Sequence, residues 1–342
     1  MGVPNRFQSV PESINSMIEK WPLREPFSIS RFTFHYSLIQ TITVRSPSGL
    51  FGQGECEPHD HDERVAAELS SAIGVMAGEP CRPAWLNGLT RANLLNRLPR
   101  SPLRNAIDCA LWDLEAKSGG TRAHTLAGMP LNPVPVLPTL GIDTPEKMAG
   151  RASLYRNSAW LKVKLGNGDG LDPERLEAIS SAAPGVSILA DANGGWTPGE
   201  LARMLPIARR SNVRMIEQPM RPEFDAELPQ APADILLCAD ESCLDRSSLE
   251  LVRKRYQYIN IKLDKAGGLT EALALRGEAE SAGLGVMVGM MSGSSLAVAP
   301  ASVLAQGLEI VDLEVDFMIK DRVPALEIEN FTLSVPEVAL WG

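Results

Sequence analysis

Short apolar runs of four to seven residues recur through the last two thirds of the chain, most of them ending on or beside a polar or ionisable residue. They occupy residues 161–165, 188–191, 214–217, 235–240, 258–263, 285–288 and 309–315. Successive starts differ by 27, 26, 21, 23, 27 and 24 residues, about one strand plus one helix each time. An eighth run, 134–140, precedes them, and helical patterns lie between at 173–182, 198–211 and 270–282. Several of these open with Asp, Thr or Pro, as helix starts do. The rhythm predicts eight parallel strands with intervening helices, which is a (β/α) barrel. No long amphipathic helix follows the last run. Residues 325–340 instead alternate like a strand pair returning toward the first part of the chain, so the expected form is (β/α)7β.

Residues 1–125 have a different grain. A strand is expected over 37–44, and Pro47-Ser48-Gly49 supplies a turn before Phe51-Gly52-Gln53-Gly54-Glu55. Ser101-Pro102 reads as a helix start, with Ile107, Ala110, Leu111 and Leu114 following at helical spacing and Gly119-Gly120 as the stop. The expected organisation is an α+β domain over 1–125, the barrel over 126–322, and a C-terminal segment over 323–342 that returns to the first domain.

Composition narrows the class. With 342 residues, 44% hydrophobic and 22% charged, the chain has ample material for a large core. A net charge of −9 argues against nucleic acid or an anionic membrane as partner. The five cysteines are odd in number and show no CxxC pairing, which suits reduced thiols and a cytoplasmic location. No secretory signal pattern opens the sequence, and no apolar stretch is long enough for a membrane span.

The ionisable residues fall where a barrel keeps its chemistry, at the C-terminal ends of the strands. Asp191, Glu217 and Asp240 are 26 and 23 residues apart and so belong to three adjacent strand ends. Three carboxylates facing one point suit a hard cation such as Mg²⁺, which keeps water or substrate oxygens in its other positions. Lys162 and Lys164 share a strand face because the strand period is two. Lysines inside a barrel are costly unless paired with carboxylates or a substrate anion. Lys262, two strand ends beyond Glu217, sits on the other side of the acidic trio. That arrangement puts one base on each face of a bound carbon acid.

The segments KVKL, ADANGGW, IEQP, ADES and NIKLDKAGG resemble the muconate-lactonizing-enzyme subgroup of the enolase superfamily, and the likeness spans essentially the whole chain. WPLREPFSISR, FGQGECEP and RNAIDCALWDLEAK resemble the capping domain of its dipeptide epimerases. The resemblance implies one Mg²⁺ per active site, held by Asp191, Glu217 and Asp240 and binding a substrate carboxylate. It implies that Lys164 and Lys262 remove and return an α-proton on opposite faces, with Lys162 stabilising the enolate. The expected reaction is epimerisation of a small dipeptide, chiefly L-Ala-D/L-Glu from murein peptides, by a homo-oligomer. One lysine must then titrate below its ordinary pKa of about 10.4, and the neighbouring lysines and Mg²⁺ push that way.

Substrate choice rests on fewer residues. Dipeptide epimerases carry a DxD on the last strand for the substrate ammonium, and this chain has Asp312-Leu313-Glu314. Met290-Met291-Ser292-Gly293-Ser294 matches the family's seventh-strand pattern only loosely. Arg31, with Arg24 nearby, is the candidate for a substrate side-chain carboxylate. An N-acylamino acid racemase or an epimerase of other dipeptides is the near alternative. A cycloisomerase or o-succinylbenzoate synthase would need no ammonium site, and a non-catalytic binding descendant would need neither metal nor bases. His59-Asp60-His61-Asp62-Glu63 is read as solvated or as part of a lid, Gly267-Gly268 as a tight turn, and Cys238 and Cys243 as packing.

Overall fold

The computed structural model describes residues 10–30, 32–58, 62–75, 78–229 and 234–342. Arg31 and His59-Asp60-His61 lie outside the described residues. Asp62 caps the helix Glu63–Ala72 by accepting from Arg64 N.

Three antiparallel strands open the chain: β1 (Ser13–Ser28), β2 (Thr33–Arg45) and β3 (Phe51–Cys56). The long β1 has no counterpart in the sequence reading. Its alternation is interrupted by Pro22 and Pro26, and its pairing with β2 slips between Pro22 and Phe27. Helix Pro102–Gly119 lies against β3, with Ser101 accepting from Arg104 N at one end and Gly120 at φ 59° closing the other. Gly52 and Gly54 make that contact possible. A Cβ on either would stand 2.1 Å from a helix carbonyl, Ala110 O or Ala106 O.

The run expected over 134–140 is divided. β4 (Val134–Pro135) leaves the barrel, and only β5 (Thr139–Leu140) begins it. Pro135 and Pro138 lack the N–H that a continuous inner strand would donate. The barrel continues through β6 (Trp160–Lys164), β7 (Ser187–Asp191), β8 (Val213–Glu217), β9 (Leu236–Ala239), β10 (Tyr258–Ile261), β11 (Gly285–Gly289) and β12 (Val311–Asp312). These eight are parallel neighbours in chain order, and Leu137 N to Val311 O at 2.9 Å joins last to first. The C-terminal pair, β13 (Ile328–Glu329) and β14 (Thr332–Leu333), joins β4 and not the first sheet. Only the last residues reach the N-terminal helix, where Trp341 Nε1 donates to Cys109 O and Gly342 N to Asp113.

Strand periodicity sorts the barrel residues. Leu161, Val163, Ile188, Ala190, Ile216, Ile259 and Ile261 face outward into the core shared with the helices. Leu137, Leu189, Met215, Cys238, Met287 and Ile310 fill the barrel itself. That apolar plug forms a floor, and the next inward residue toward each strand's C-terminal end is polar on most strands. Cys238 is packing, as expected.

The N-terminal helix docks on the barrel through Asp108, fully buried, which accepts from Thr270 N (2.8 Å) and Thr270 Oγ1 (2.7 Å). Burial pushes its carboxyl up to about 6. An acid that binds its proton more tightly when folded stabilises the fold below its unfolded pKa, near 3.9, and loses that contribution as pH rises through 6. Asp108→Asn is therefore expected to flatten the stability profile between pH 4 and 7 by on the order of 2 kcal/mol. Urea midpoints of both proteins at pH 4.5 and 7 check this, and parallel shifts in the two would count against it.

Candidate active site

The polar layer begins with the lysines of β6. Lys162 Nζ, fully buried, lies 2.7 Å from Asp312 Oδ2, 2.8 Å from Glu217 Oε2 and 3.1 Å from Asp191 Oδ2. Lys164 Nζ lies 2.6 Å from Asp191 Oδ2 and 3.2 Å from Asn193 Oδ1. Asp191 and Glu217 close β7 and β8, and Asp240 stands one residue past β9. Lys262, one residue past β10, donates to Asp240 Oδ2 at 2.8 Å. Since β6 and β10 are four strands apart in a closed ring of eight, Lys164 and Lys262 stand on opposite sides of the mouth. The three candidate metal ligands come from the strands between them, β7 to β9. Asp312 comes from β12, on the other arc.

Charge balance governs these groups. Burial disfavours every charge here, yet Asp312, Glu217 and Asp191 hold the Lys162 ammonium well above lysine's ordinary range. Burial likewise works against Lys262, but Asp240 outweighs it and pushes the ammonium up. The lowered lysine expected from the sequence is not found at either residue, because each ammonium rests on carboxylate oxygens and those contacts exceed the repulsion between lysines. Lys164 and Lys162 hold Asp191 below the usual carboxylate range despite its burial, and Lys262 and Lys265 do the same for Asp240. Glu217 is different: burial and the Asp191 charge push it up to about 7.

Two of the polar contacts were not anticipated. Asn260, on the inward face of β10, donates to Glu217 Oε1 at 2.7 Å. It is seated over Gly289, where a Cβ would come within 2.7 Å of its amide oxygen. The signal was available, since Asn260 is polar between Ile259 and Ile261 and two residues before Lys262. Lys265 also reaches Asp240, from the short helix Leu263–Ala266. Gln218 accepts from Asp240 N at 2.9 Å and Ser242 N at 3.1 Å, which fixes the loop after β9.

The donor set fits a hard cation. Three carboxylates lie on adjacent strands, and Glu217 Oε2 is buried without an aligned hydrogen bond although Lys162 is close. As the side chains stand, lysine ammonium groups take the carboxylate oxygens, with three acids gathered on Lys162 Nζ, and among the described residues no group of three His, Cys, Asp or Glu is set to hold a metal ion.

At the mouth, the N-terminal sheet is tied to the loop after β11. Glu55 accepts from Ser294 N and Oγ, both at 2.6 Å, and Glu57 accepts from Ser292 N and Oγ. Arg322 also pairs with Glu55. Thr139 Oγ1 donates to Asp312 Oδ1 at 2.9 Å, and Thr139 N donates to Glu314 Oε1 at 3.2 Å. Burial and the Asp312 charge push Glu314 up to about 7. Beside Glu314 a cavity of about 810 Å³ opens between Phe27, Tyr155, Phe317 and Phe331. Arg24 reaches its rim, 4.0 Å from Asp316. Among the described residues no helix is long and apolar enough to cross a membrane, and all five cysteines are free thiols.

This architecture has known relatives. The L-Ala-D/L-Glu epimerase of Escherichia coli (strain K12) is 38% identical over 317 residues, covering 90% of this chain and 95% of that protein. The N-acetyl-D-glutamate racemase of a Pseudoalteromonas species is 35% identical over 305 residues, 88% and 94% of the two chains. Among solved structures, an enolase family member from Agrobacterium tumefaciens with homology to dipeptide epimerases, holding sodium and L-Ala-L-Glu, matches with TM-score 0.89. Its identity is 36%, with 96% of this chain and 99% of that one covered. The dipeptide epimerase of Enterococcus faecalis V583, complexed with Mg and L-Leu-L-Tyr, matches at TM-score 0.83 and 26% identity, with 96% and 97% covered. The mandelate racemase / muconate lactonizing enzyme N-terminal domain model matches residues 13–128, and the enolase C-terminal domain-like model matches 147–339. The chain belongs to the mandelate racemase / muconate lactonizing enzyme family of the enolase superfamily.

Proposed function

We propose that this protein is a Mg²⁺-dependent dipeptide epimerase, an isomerase that inverts the α-carbon of the C-terminal residue of L-Ala-D/L-Glu. The observation that carries the reading is the placing of Lys164 and Lys262 on opposite strands with three carboxylates between them. Asp191, Glu217 and Asp240 would hold the cation, which when bound supplies positive charge to the oxygens of a substrate carboxylate. An α-proton beside a carboxylate is very weakly acidic, so stabilising charge must appear where the enediolate oxygens develop. Lys162, held as an ammonium by its buried acids, adds to that charge without moving. Lys164 and Lys262 serve as the two bases, one on each face. The lysine that removes the proton must be neutral and the other charged, so removal from the Lys262 side requires its contact with Asp240 to loosen.

Asp312 is the acceptor for the substrate ammonium, and Arg31 is the candidate partner of the glutamate side-chain carboxylate. A racemase of N-acylated glutamate is the second reading, favoured by the Pseudoalteromonas relative and by the occupation of both Asp312 oxygens. Incubation with L-Ala-L-Glu and Mg²⁺ in D₂O is expected to exchange the glutamyl α-proton and to produce the D epimer. EDTA is expected to stop both processes. Exchange with N-acetyl-glutamate but not with the dipeptide would select the second reading, and exchange with neither would reject both.

A further inference from the structure

Asp240 carries two lysines, and their settings differ. Lys262 makes one contact, to Oδ2. Lys265 donates to Asp240 Oδ1 and also to three backbone carbonyls: Asp240 O at 2.5 Å, Asn260 O at 3.1 Å and Cys243 O at 3.2 Å. An ammonium has three N–H groups, so four oxygens from β10 and the segment after β9 leave none of them free. Lys265 is also largely shielded, its side chain 13% exposed. Its helix is held from the other side by Arg104, which donates to Ala266 O and Gly267 O at 2.9 and 2.8 Å.

We infer that Lys265 is a positioning residue for the cation site, a fixed ammonium that aims Asp240 while Lys262 remains free to leave it. The inference rests on the reading that Asp240 is one of the cation's ligands. Oδ1 and the adjoining carbonyls are committed to Lys265, so Oδ2 is the oxygen available to a cation, and taking it displaces only Lys262. Without Lys265 the carboxylate keeps its charge but loses the contact that sets its orientation. The carbonyls of Asp240, Cys243 and Asn260 also lose a donor. Outer-shell partners of this kind typically change metal affinity about 10–100-fold when removed.

The test is titration of Mg²⁺ alone into the full-length protein by calorimetry. Lys265→Met is expected to weaken Mg²⁺ binding about 10–100-fold. In the substrate assay it is expected to lower kcat much more than it raises KM. Lys265→Gln, which retains amide donors for the carbonyls but not the charge, is expected to show the same direction and serves where the Met variant does not fold. A lysine with a purely structural role would lower the unfolding midpoint and leave Mg²⁺ affinity within twofold. That result in a folded variant overturns the inference, as does a wild-type protein that binds no Mg²⁺. Because the titration needs no substrate, it reads out even if no dipeptide undergoes exchange, which would sink only the proposed substrate.

Discussion

Replacing Lys262 with alanine is expected to abolish epimerisation while sparing α-proton exchange with one of the two epimers. Lys164 and Lys262 stand on β6 and β10, half the ring apart, so a substrate lying across the mouth presents its α-proton to one lysine or the other according to configuration. A protein without Lys262 still has Lys164, which exchanges the proton of the epimer facing β6 and cannot complete inversion. Lys164→Ala should show the reverse preference. Loss of a positioned base costs on the order of 10³-fold in turnover. Asp240 retains Lys265 in the first variant and Asp191 retains Lys162 in the second, so neither leaves a buried carboxylate unpaired. The measurement is α-proton exchange in D₂O with L-Ala-L-Glu and L-Ala-D-Glu supplied separately. If both variants favour the same epimer, the two-base assignment fails.

That prediction could be framed from the sequence because the residues behind it obey the strand period. Lys162 and Lys164 are two apart on an otherwise apolar run, and Asp191, Glu217 and Asp240 repeat at the βα interval. The shared face of the two lysines and the neighbouring strand ends of the three acids follow from those spacings. Other features obey no such period. β1 is a largely polar strand interrupted by prolines; it pairs with β2 while Ile14 packs into the N-terminal core and Trp21 and Leu23 pack with Ile39 and Met318. Val134 and Val136 read as residues of the first barrel strand, while the decisive fact is that the prolines at 135 and 138 cannot donate. Lys265 lay in plain view three residues after Lys262, but helical spacing sets only the face it shares. Its contact with Asp240 depends on how two strand-end loops converge, which one-dimensional spacing does not encode. The raised ammonium groups of Lys162 and Lys262 are not legible in the sequence for a related reason. The sequence shows which charges are near one another, and the balance turns on which ammonium actually rests on which oxygen.

Asp312→Asn is expected to separate a dipeptide substrate from an N-acylated one. Asp312 is nearly buried, and Lys162 and Lys164 hold its carboxyl below the usual range against the cost of burial. A substrate ammonium that meets it gains a charge-assisted hydrogen bond in a setting with little water. Asparagine keeps the shape and the acceptor for Thr139 Oγ1 but removes the charge, and truncating one side of a buried charged pair costs about 2–5 kcal/mol. For L-Ala-L-Glu, kcat/KM should therefore fall by about 30-fold to several thousand-fold. N-acetyl-glutamate has no ammonium and should lose only what the weakened Lys162 contact costs, so the ratio of the two losses carries the information. Glu314→Gln is the companion variant. The extra methylene of this glutamate lets Oε1 receive Thr139 N at the seam between first and last strands, a bond that glutamine can retain. Its effect on the dipeptide should accordingly be much smaller than that of Asp312→Asn. Equal losses on both substrates after Asp312→Asn would mean that Asp312 serves Lys162 alone and that the ammonium, if there is one, binds elsewhere.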